Sequence, residues 1–107
     1  MPFIDVKASC DISEEQELRL KSGLGRAISL IPGKNEGALM LRFTGGCNMW
    51  FAGRQEGPIV MADAAIYGHT SDDAVSAFGQ EAVSLFREVL GAQHVYVKLD
   101  QTTDWAW

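Results

Sequence analysis

The sequence predicts an α/β domain of two β-α-β repeats, in which a four-stranded sheet carries two helices on one face. Two segments have apolar residues at helical spacing, and each follows a residue suited to cap a helix. Apolar or alternating segments, typical of strands, lie before and after each predicted helix. A chain of 107 residues is enough for one core, so we interpret residues 1–107 as a single domain.

The first repeat begins with a predicted strand over residues 3–8, in which apolar Ile4 and Val6 alternate with charged residues. Ser13 and Gln16 have the spacing of a capping box, which predicts a helix start. Apolar residues then recur at helical spacing as far as Ile31, and Pro32 ends the pattern. Residues 38–43 are mostly apolar and predict the second strand.

The second repeat follows a predicted turn at residues 45–46 and a short strand at residues 49–52, which together suggest a short hairpin. Residues 59–67 form another largely apolar strand segment. Ser71 is placed to begin the second helix and Gly91 to end it. The last predicted strand covers residues 95–99, and residues 102–107 form a tail with two tryptophans.

This order of elements predicts parallel strand pairs, because a strand that follows a crossover helix runs in the direction of the strand before it. Both helices are then expected on one face of the sheet. The central strands look apolar on both faces, and nothing in the chain remains to cover the second face. The sequence therefore predicts a cyclic homo-oligomer in which copies cover that face for one another.

Charge and composition argue against several classes of partner. The chain has 9 basic and 14 acidic residues, a net charge of −5, and no cluster of Lys and Arg. Neither nucleic acid nor a membrane is an expected partner. No signal peptide or membrane span is recognisable, so the expected location is the cytoplasm. Cys10 and Cys47 have no metal-ligand spacing and are interpreted as buried free thiols, and no metal or cofactor is expected.

Pro2 is the first candidate catalytic residue. If Met1 is removed, Pro2 carries a free secondary amine at the start of a strand. An α-amino group has a pKa of about 7.7–8.0, and burial lowers it, which suits a base that works at neutral pH. The alternative is that Met-Pro is a common start without function.

Lys34 is the second candidate, because it precedes the second strand as Pro2 precedes the first. The starts of parallel strands lie at one end of a sheet, so the Lys34 cation is expected near the amine. There it would bind a substrate carboxylate and favour the unprotonated amine. Without a catalytic role, Lys34 is a lysine near a helix C-terminus, where the helix dipole favours it.

Other charged and aromatic residues allow two interpretations each. Arg42 interrupts an apolar strand and is expected to pair with Asp63 rather than to bind an acid. Trp105 and Trp107 are expected either to wall an apolar pocket or to pack against a neighbouring subunit.

Five short motifs, in this order, resemble the macrophage migration inhibitory factor (MIF) family of the tautomerase superfamily over nearly the whole chain. They are MPFI at residues 1–4, Pro32-Gly33-Lys34, Phe51-Ala52-Gly53, Ile66-Tyr67-Gly68 and Val95-Tyr96-Val97. The resemblance implies a homotrimer with active sites between subunits, and keto–enol conversion of a small carboxylic acid such as phenylpyruvate.

The resemblance also implies a role for each site residue. Pro2 is the catalytic residue and Lys34 binds the substrate carboxylate. The backbone N–H of Ile66 or Tyr67 contacts the substrate. The adjacent subunit donates Tyr96, and Trp105 or Trp107 stands where the family has its pocket tryptophan.

The chain departs from the family's pattern at Lys98, where the family usually has Asn, in the stretch after Gly68, and in a shorter tail. Lys98 suggests a second cation that would favour a dianionic acid. Two rival functions remain: a non-catalytic binding or signalling protein of the same fold, and a ferredoxin-like domain that only mediates assembly.

Overall fold

The computed structural model describes residues 1–107 and contains two β-α-β repeats, as predicted. In chain order the strands and helices are β1 (Pro2–Ala8), α1 (Glu14–Ala27), β2 (Met40–Thr44), β3 (Ile59–Tyr67), α2 (Asp72–Leu90) and β4 (His94–Thr102). Two short 3-10 helices, Ile28–Leu30 and Glu36–Ala38, lie between α1 and β2.

The helix caps are those that the sequence predicts. The Ser13 hydroxyl accepts the Gln16 N–H at 3.1 Å, and the Gln16 side chain accepts the Ser13 N–H at 2.9 Å. Ser71 caps α2 in the same way, and Gly91 ends α2 with a positive φ of 64°. Helix α1 ends at Ala27, earlier than expected, because its last apolar turn tightens into the 3-10 helix.

The four strands form one sheet in the order β2-β1-β3-β4. Strands β1 and β2 are parallel, as are β3 and β4, and the two repeats meet at the antiparallel pair β1 and β3. The predicted parallel pairs are therefore confirmed. This topology places Pro2 opposite Ile66 at the central junction of the sheet.

The core lies between the helices and one face of the sheet, called here the helix face. Strand residues on this face alternate with residues on the opposite, open face. The largest core side chains are at most 1% exposed and come from both repeats: Ile4, Val6, Leu20, Leu24, Ile28, Ile66, Phe78 and Phe86. The helix face therefore accounts for most of the buried apolar surface.

The open face is not apolar throughout, which corrects one expectation from the sequence. A row of charged residues crosses its middle, with one member from each strand in register: Arg42, Asp5, Asp63 and Lys98. Apolar side chains lie on either side of this row, Phe3 and Met40 towards the start of β1 and Met61 towards its end. The open face thus carries a charged row across its middle, with apolar side chains on either side of it and further charged residues, Lys7 and Asp100, beyond the row.

The predicted ion pair between Arg42 and Asp63 is wrong. Arg42 donates two hydrogen bonds to Asp5 instead, at 2.6 and 3.0 Å, and Lys7 adds a third at 2.8 Å. Strand β1 lies between β2 and β3, so Asp5 is the carboxylate nearest to Arg42. Asp63 pairs with Lys98 on the other side, at 3.7 Å.

The predicted strand at residues 49–52 is also wrong. Only an isolated bridge between Phe51 and Arg54 forms there. Ala52 and Gly53 have positive φ values of 52° and 77°, so the chain reverses at once. Strand β4 is longer than predicted, because its pairing with β3 continues to Thr102.

Candidate active site at the start of the first strand

The start of β1 brings Lys34 and Tyr67 to the N-terminal residues. The Lys34 ammonium donates a hydrogen bond to the Tyr67 carbonyl at 2.7 Å. The Tyr67 N–H in turn donates to the Met1 carbonyl at 3.1 Å. The geometry therefore assembles three of the predicted elements, Pro2, Lys34 and the Tyr67 backbone, at one corner of the sheet.

The electrostatic environment of this corner disfavours a protonated amine. Burial lowers the pKa of the Met1 α-amine, and the positive charge and hydrogen bond of Lys34 lower it further. The Lys34 charge is therefore close to the N-terminus of the chain.

An apolar cleft of about 400 Å³ opens beside Pro2. Its lining comes from the start of β1, the approach to β2 and the C-terminal tail: Met1, Pro2, Phe3, Ala38, Met40, Trp105, Ala106 and Trp107. The Trp107 ring packs edge-on against Tyr67, with ring centroids 5.4 Å apart. Both tail tryptophans thus line the cleft. A ligand there would have apolar surfaces around its body and Lys34 near its polar end.

Tyr96 does not join this cleft within one chain. It pairs with Met61, five residues before the Pro2 partner Ile66 along β3. That separation is roughly 16 Å at about 3.3 Å per strand residue. Tyr96 is 64% exposed and contacts the Phe51 ring edge-on at 5.7 Å, and Phe51 stacks on His94 at 4.1 Å. These aromatic residues form a separate cluster at the far end of the open face.

Ile66 contributes only its backbone to this corner, because its side chain is 1% exposed in the core. Phe3 and Met40 are cleft residues that the sequence analysis missed. They lie opposite each other in the β1–β2 register, a pairing that local sequence patterns do not reveal. For Phe3, the available signal in the sequence was that it is an apolar residue directly after Pro2.

The structure does not support Lys98 as a second substrate cation. Its ammonium lies 3.4 Å from Asp100 and 3.7 Å from Asp63. Hydrogen bonding and charge attraction from Asp100, and then the charge of Asp63, raise the pKa of Lys98. Two carboxylates of the same chain therefore already compensate this charge.

No cluster of three or more His, Cys, Asp or Glu side chains is arranged to hold a metal ion. Neither helix combines the length and the apolar character needed to cross a membrane.

No protein-family model and no curated protein sequence matches the chain. Solved structures do match its fold. Leishmania major MIF2 superposes with a TM-score of 0.90 at 18% identity, over 100% of this chain and 93% of that one. The structure of Pt0534 inactivated by 2-oxo-3-pentynoate superposes with a TM-score of 0.78 at 18% identity, over 92% of this chain and 84% of that one. The structure of N1, a member of the cis-3-chloroacrylic acid dehalogenase family, superposes with a TM-score of 0.78 at 20% identity, over 92% of this chain and 73% of that one.

These similarities extend over nearly the whole chain, whereas the sequence identities are low. The protein therefore has the fold of MIF and tautomerase-superfamily proteins. The resemblance predicted from five short motifs is confirmed at the level of the fold.

Proposed function

We propose that the protein is a tautomerase that interconverts the keto and enol forms of a 2-keto acid such as phenylpyruvate. The observation that carries the proposal is the meeting of Lys34, the Tyr67 backbone and Pro2 beside an apolar cleft. The solved structures with the same fold include a protein inactivated by a 2-oxo acid, which is consistent with this substrate class.

Pro2 is the proposed base and acid. Once Met1 is removed, its nitrogen is a secondary amine, and the causes that lower the pKa of the Met1 amine would act on it. An amine that is unprotonated near neutral pH can take the proton alpha to the substrate carbonyl. In the reverse reaction, from enol to keto form, the same group returns the proton to that carbon.

Loss of Met1 has a second consequence at Tyr67. The Tyr67 N–H donates to the Met1 carbonyl, an atom that leaves with Met1. The freed N–H lies beside the new amine and beside Lys34. It is the proposed donor to the substrate oxygen that gains negative charge, with the Ile66 backbone as the alternative. Lys34 binds the carboxylate, and Trp105 with its neighbours encloses the substrate's apolar group.

A neighbouring copy is needed to complete the site with Tyr96. Within one chain Tyr96 lies roughly 16 Å along the sheet from Pro2, beyond the reach of its side chain. We therefore propose a homotrimer in which each Tyr96 hydroxyl serves the Pro2 site of the next copy. The contact between Tyr96 and Phe51 would hold the donated ring in place.

The test is phenylpyruvate keto–enol conversion by untagged protein, with removal of Met1 verified by intact mass. We expect Pro2→Ala, which replaces the secondary amine by a primary one, to lose activity about 100-fold or more. Lys34→Ala should raise KM more than it lowers kcat. Lys21→Ala is the matched control, because Lys21 is an exposed lysine of α1 that forms an ion pair with Glu36.

Equal activity of the wild type and Pro2→Ala would refute the mechanism. Binding of phenylpyruvate without turnover by the processed wild type would favour the non-catalytic function instead. A monomer in solution would refute the role of Tyr96 but leave that of Pro2 open to the kinetic test.

A further inference from the structure

The fold places the two cysteines side by side, although they are 37 residues apart in the sequence. Strands β1 and β2 are parallel, and the last pair of their register is Lys7 with Thr44. Cys10 follows Lys7 by three residues, and Cys47 follows Thr44 by three residues. The Gly46 N–H donates to the Cys10 carbonyl at 2.9 Å, and the Cys47 N–H donates to the Ala8 carbonyl at 2.9 Å. Two backbone hydrogen bonds thus tie the cysteine segments together.

Both cysteines also line one open cleft of about 430 Å³, together with residues of the loop after β2. Both are unpaired thiols, and each is partly exposed. The Cys47 thiol has only a weak hydrogen bond, to the Thr44 carbonyl at 3.5 Å, so little prevents its rotation towards the cleft. A small reagent can therefore reach the pair.

The backbone contacts make the two cysteine segments neighbours. The Cys10 carbonyl accepts the Gly46 N–H, and Cys47 follows Gly46 directly. A disulfide joins Cα atoms about 4.4–6.8 Å apart, so it forms only between segments that lie next to each other, as these two do. The connecting loop passes through Gly46, whose φ is 65°, and glycine adopts positive and negative φ values with similar ease, so the backbone can adjust at this position.

We propose that Cys10 and Cys47 are a redox-active pair that forms a reversible intramolecular disulfide with a low-molecular-weight disulfide, such as oxidised glutathione, as oxidant. The Cys47 thiolate attacks one sulfur of the oxidant and releases one glutathione thiolate. Cys10 then attacks the Cys47 sulfur and releases the second. The protein loses two protons and two electrons, and the oxidant's disulfide is reduced to two thiols.

The proposed order of attack rests on access and burial. The Cys47 thiol has only the weak bond to the Thr44 carbonyl, whereas burial raises the pKa of the Cys10 thiol, so Cys10 carries less thiolate at neutral pH than an ordinary cysteine. It acts instead as the resolving thiol, once the mixed disulfide at Cys47 lies beside it. The proposal does not rest on the proposed tautomerase activity, and the pair lies at the end of β1 opposite to the Pro2 of its own chain.

The bond would tie the end of β1 to the start of the loop that carries Trp50 and Phe51. Trp50 is 65% exposed, and Phe51 contacts Tyr96. Oxidation is therefore expected to restrain the aromatic cluster at the far end of the open face and to leave the Pro2 cleft unchanged.

The experiment treats folded protein with glutathione buffers of increasing oxidised fraction and follows thiol titration and intact mass. We expect both thiols to disappear together with a mass loss of about 2 Da, and a peptide map that joins Cys10 to Cys47. The equilibrium constant for this disulfide should be at least about 10-fold larger in folded protein than in the urea-unfolded chain, because only the fold holds the cysteines together.

Cys10→Ser is the matched variant. It should stop at a mixed disulfide on Cys47, with a mass gain of about 300 Da, because no resolving thiol remains. The wild-type comparison between folded and unfolded protein decides the question even if the variant does not fold. Two stable glutathione adducts on the folded wild type, a disulfide between chains, or equal constants in the folded and unfolded states would each overturn the proposal.

Discussion

The two faces of the sheet differ in what their side chains do. On the helix face, Ile4 and Val6 are at most 1% exposed and pack against both helices. On the open face, Asp5, which lies between Ile4 and Val6 along the chain, belongs to the charged row. Two other members of the row, Arg42 and Lys98, remain more than half exposed. The fold is therefore stabilised mainly by one face, and the other is free to carry polar chemistry and contacts with other molecules.

The open face is itself divided, and the division bears on function. The Pro2 end has the cleft, Lys34 and the tail tryptophans, whereas the far end has Tyr96 and Phe51. Groups that the proposed reaction needs in one place lie at opposite ends of the same chain. In the proposed homotrimer, a neighbouring copy would bring them together.

The largest expected effect is on the helix face. Phe78→Ala should lower the free energy of unfolding by about 3–5 kcal/mol, because it leaves a cavity where a large side chain is 1% exposed. Lys98→Ala on the open face should leave it nearly unchanged, because exposed ion pairs contribute little. Urea denaturation of both variants measures the contrast. Comparable losses in the two variants would mean that the open face contributes to folding as the core does.

Asp5 is the exception on the open face, and its effect should depend on pH. Hydrogen bonds from Arg42 and then from Lys7 lower the pKa of Asp5 from 3.8 to about 2. A carboxyl group with a lowered pKa in the folded state stabilises the protein above its unfolded pKa, and this contribution is lost as the pH falls towards 2. Screening at the half-exposed partners reduces the expected contribution to about 1 kcal/mol.

Urea denaturation at intervals between pH 6 and about pH 2 tests this expectation against Asp5→Asn. The variant should be less stable at pH 6, and the difference should shrink towards the acidic end. A difference that stays constant with pH would show that the Asp5 charge is not the cause.

The smallest effects should come from the turn beside the aromatic cluster. Ala52 holds a φ of 52° that glycine adopts more easily, so Ala52→Gly should stabilise the protein by up to about 1 kcal/mol. Gly53→Ala, at a φ of 77°, should destabilise by a similar amount, although no atom lies near its added methyl group. Thermal denaturation of the pair gives the sign of each effect. A loss of stability in Ala52→Gly would show that contacts of its methyl group outweigh the backbone strain.

Features that depend on local interactions were predictable from the sequence. The Ser13 capping box and the Gly91 helix end involve residues within a few positions of each other, so their patterns are visible in the chain. The alternation of β1 likewise predicted which residues enter the core. The partner of Arg42 was not predictable, because the choice between Asp5 and Asp63 depends on which strand lies next to β2.

The sequence alone thus determined the order of the two helices and of the four strands that form the sheet, the parallel pairs, the family resemblance and the two candidates Pro2 and Lys34. Tertiary structure alone decided the charged row, the cleft formed with Phe3, Met40 and the tail, the proximity of the Cys10 and Cys47 segments, and the distance between Tyr96 and Pro2. The physical reason is that periodicity and capping act over a few residues. Strand order and register instead bring together residues tens of positions apart, and no local pattern encodes their contacts.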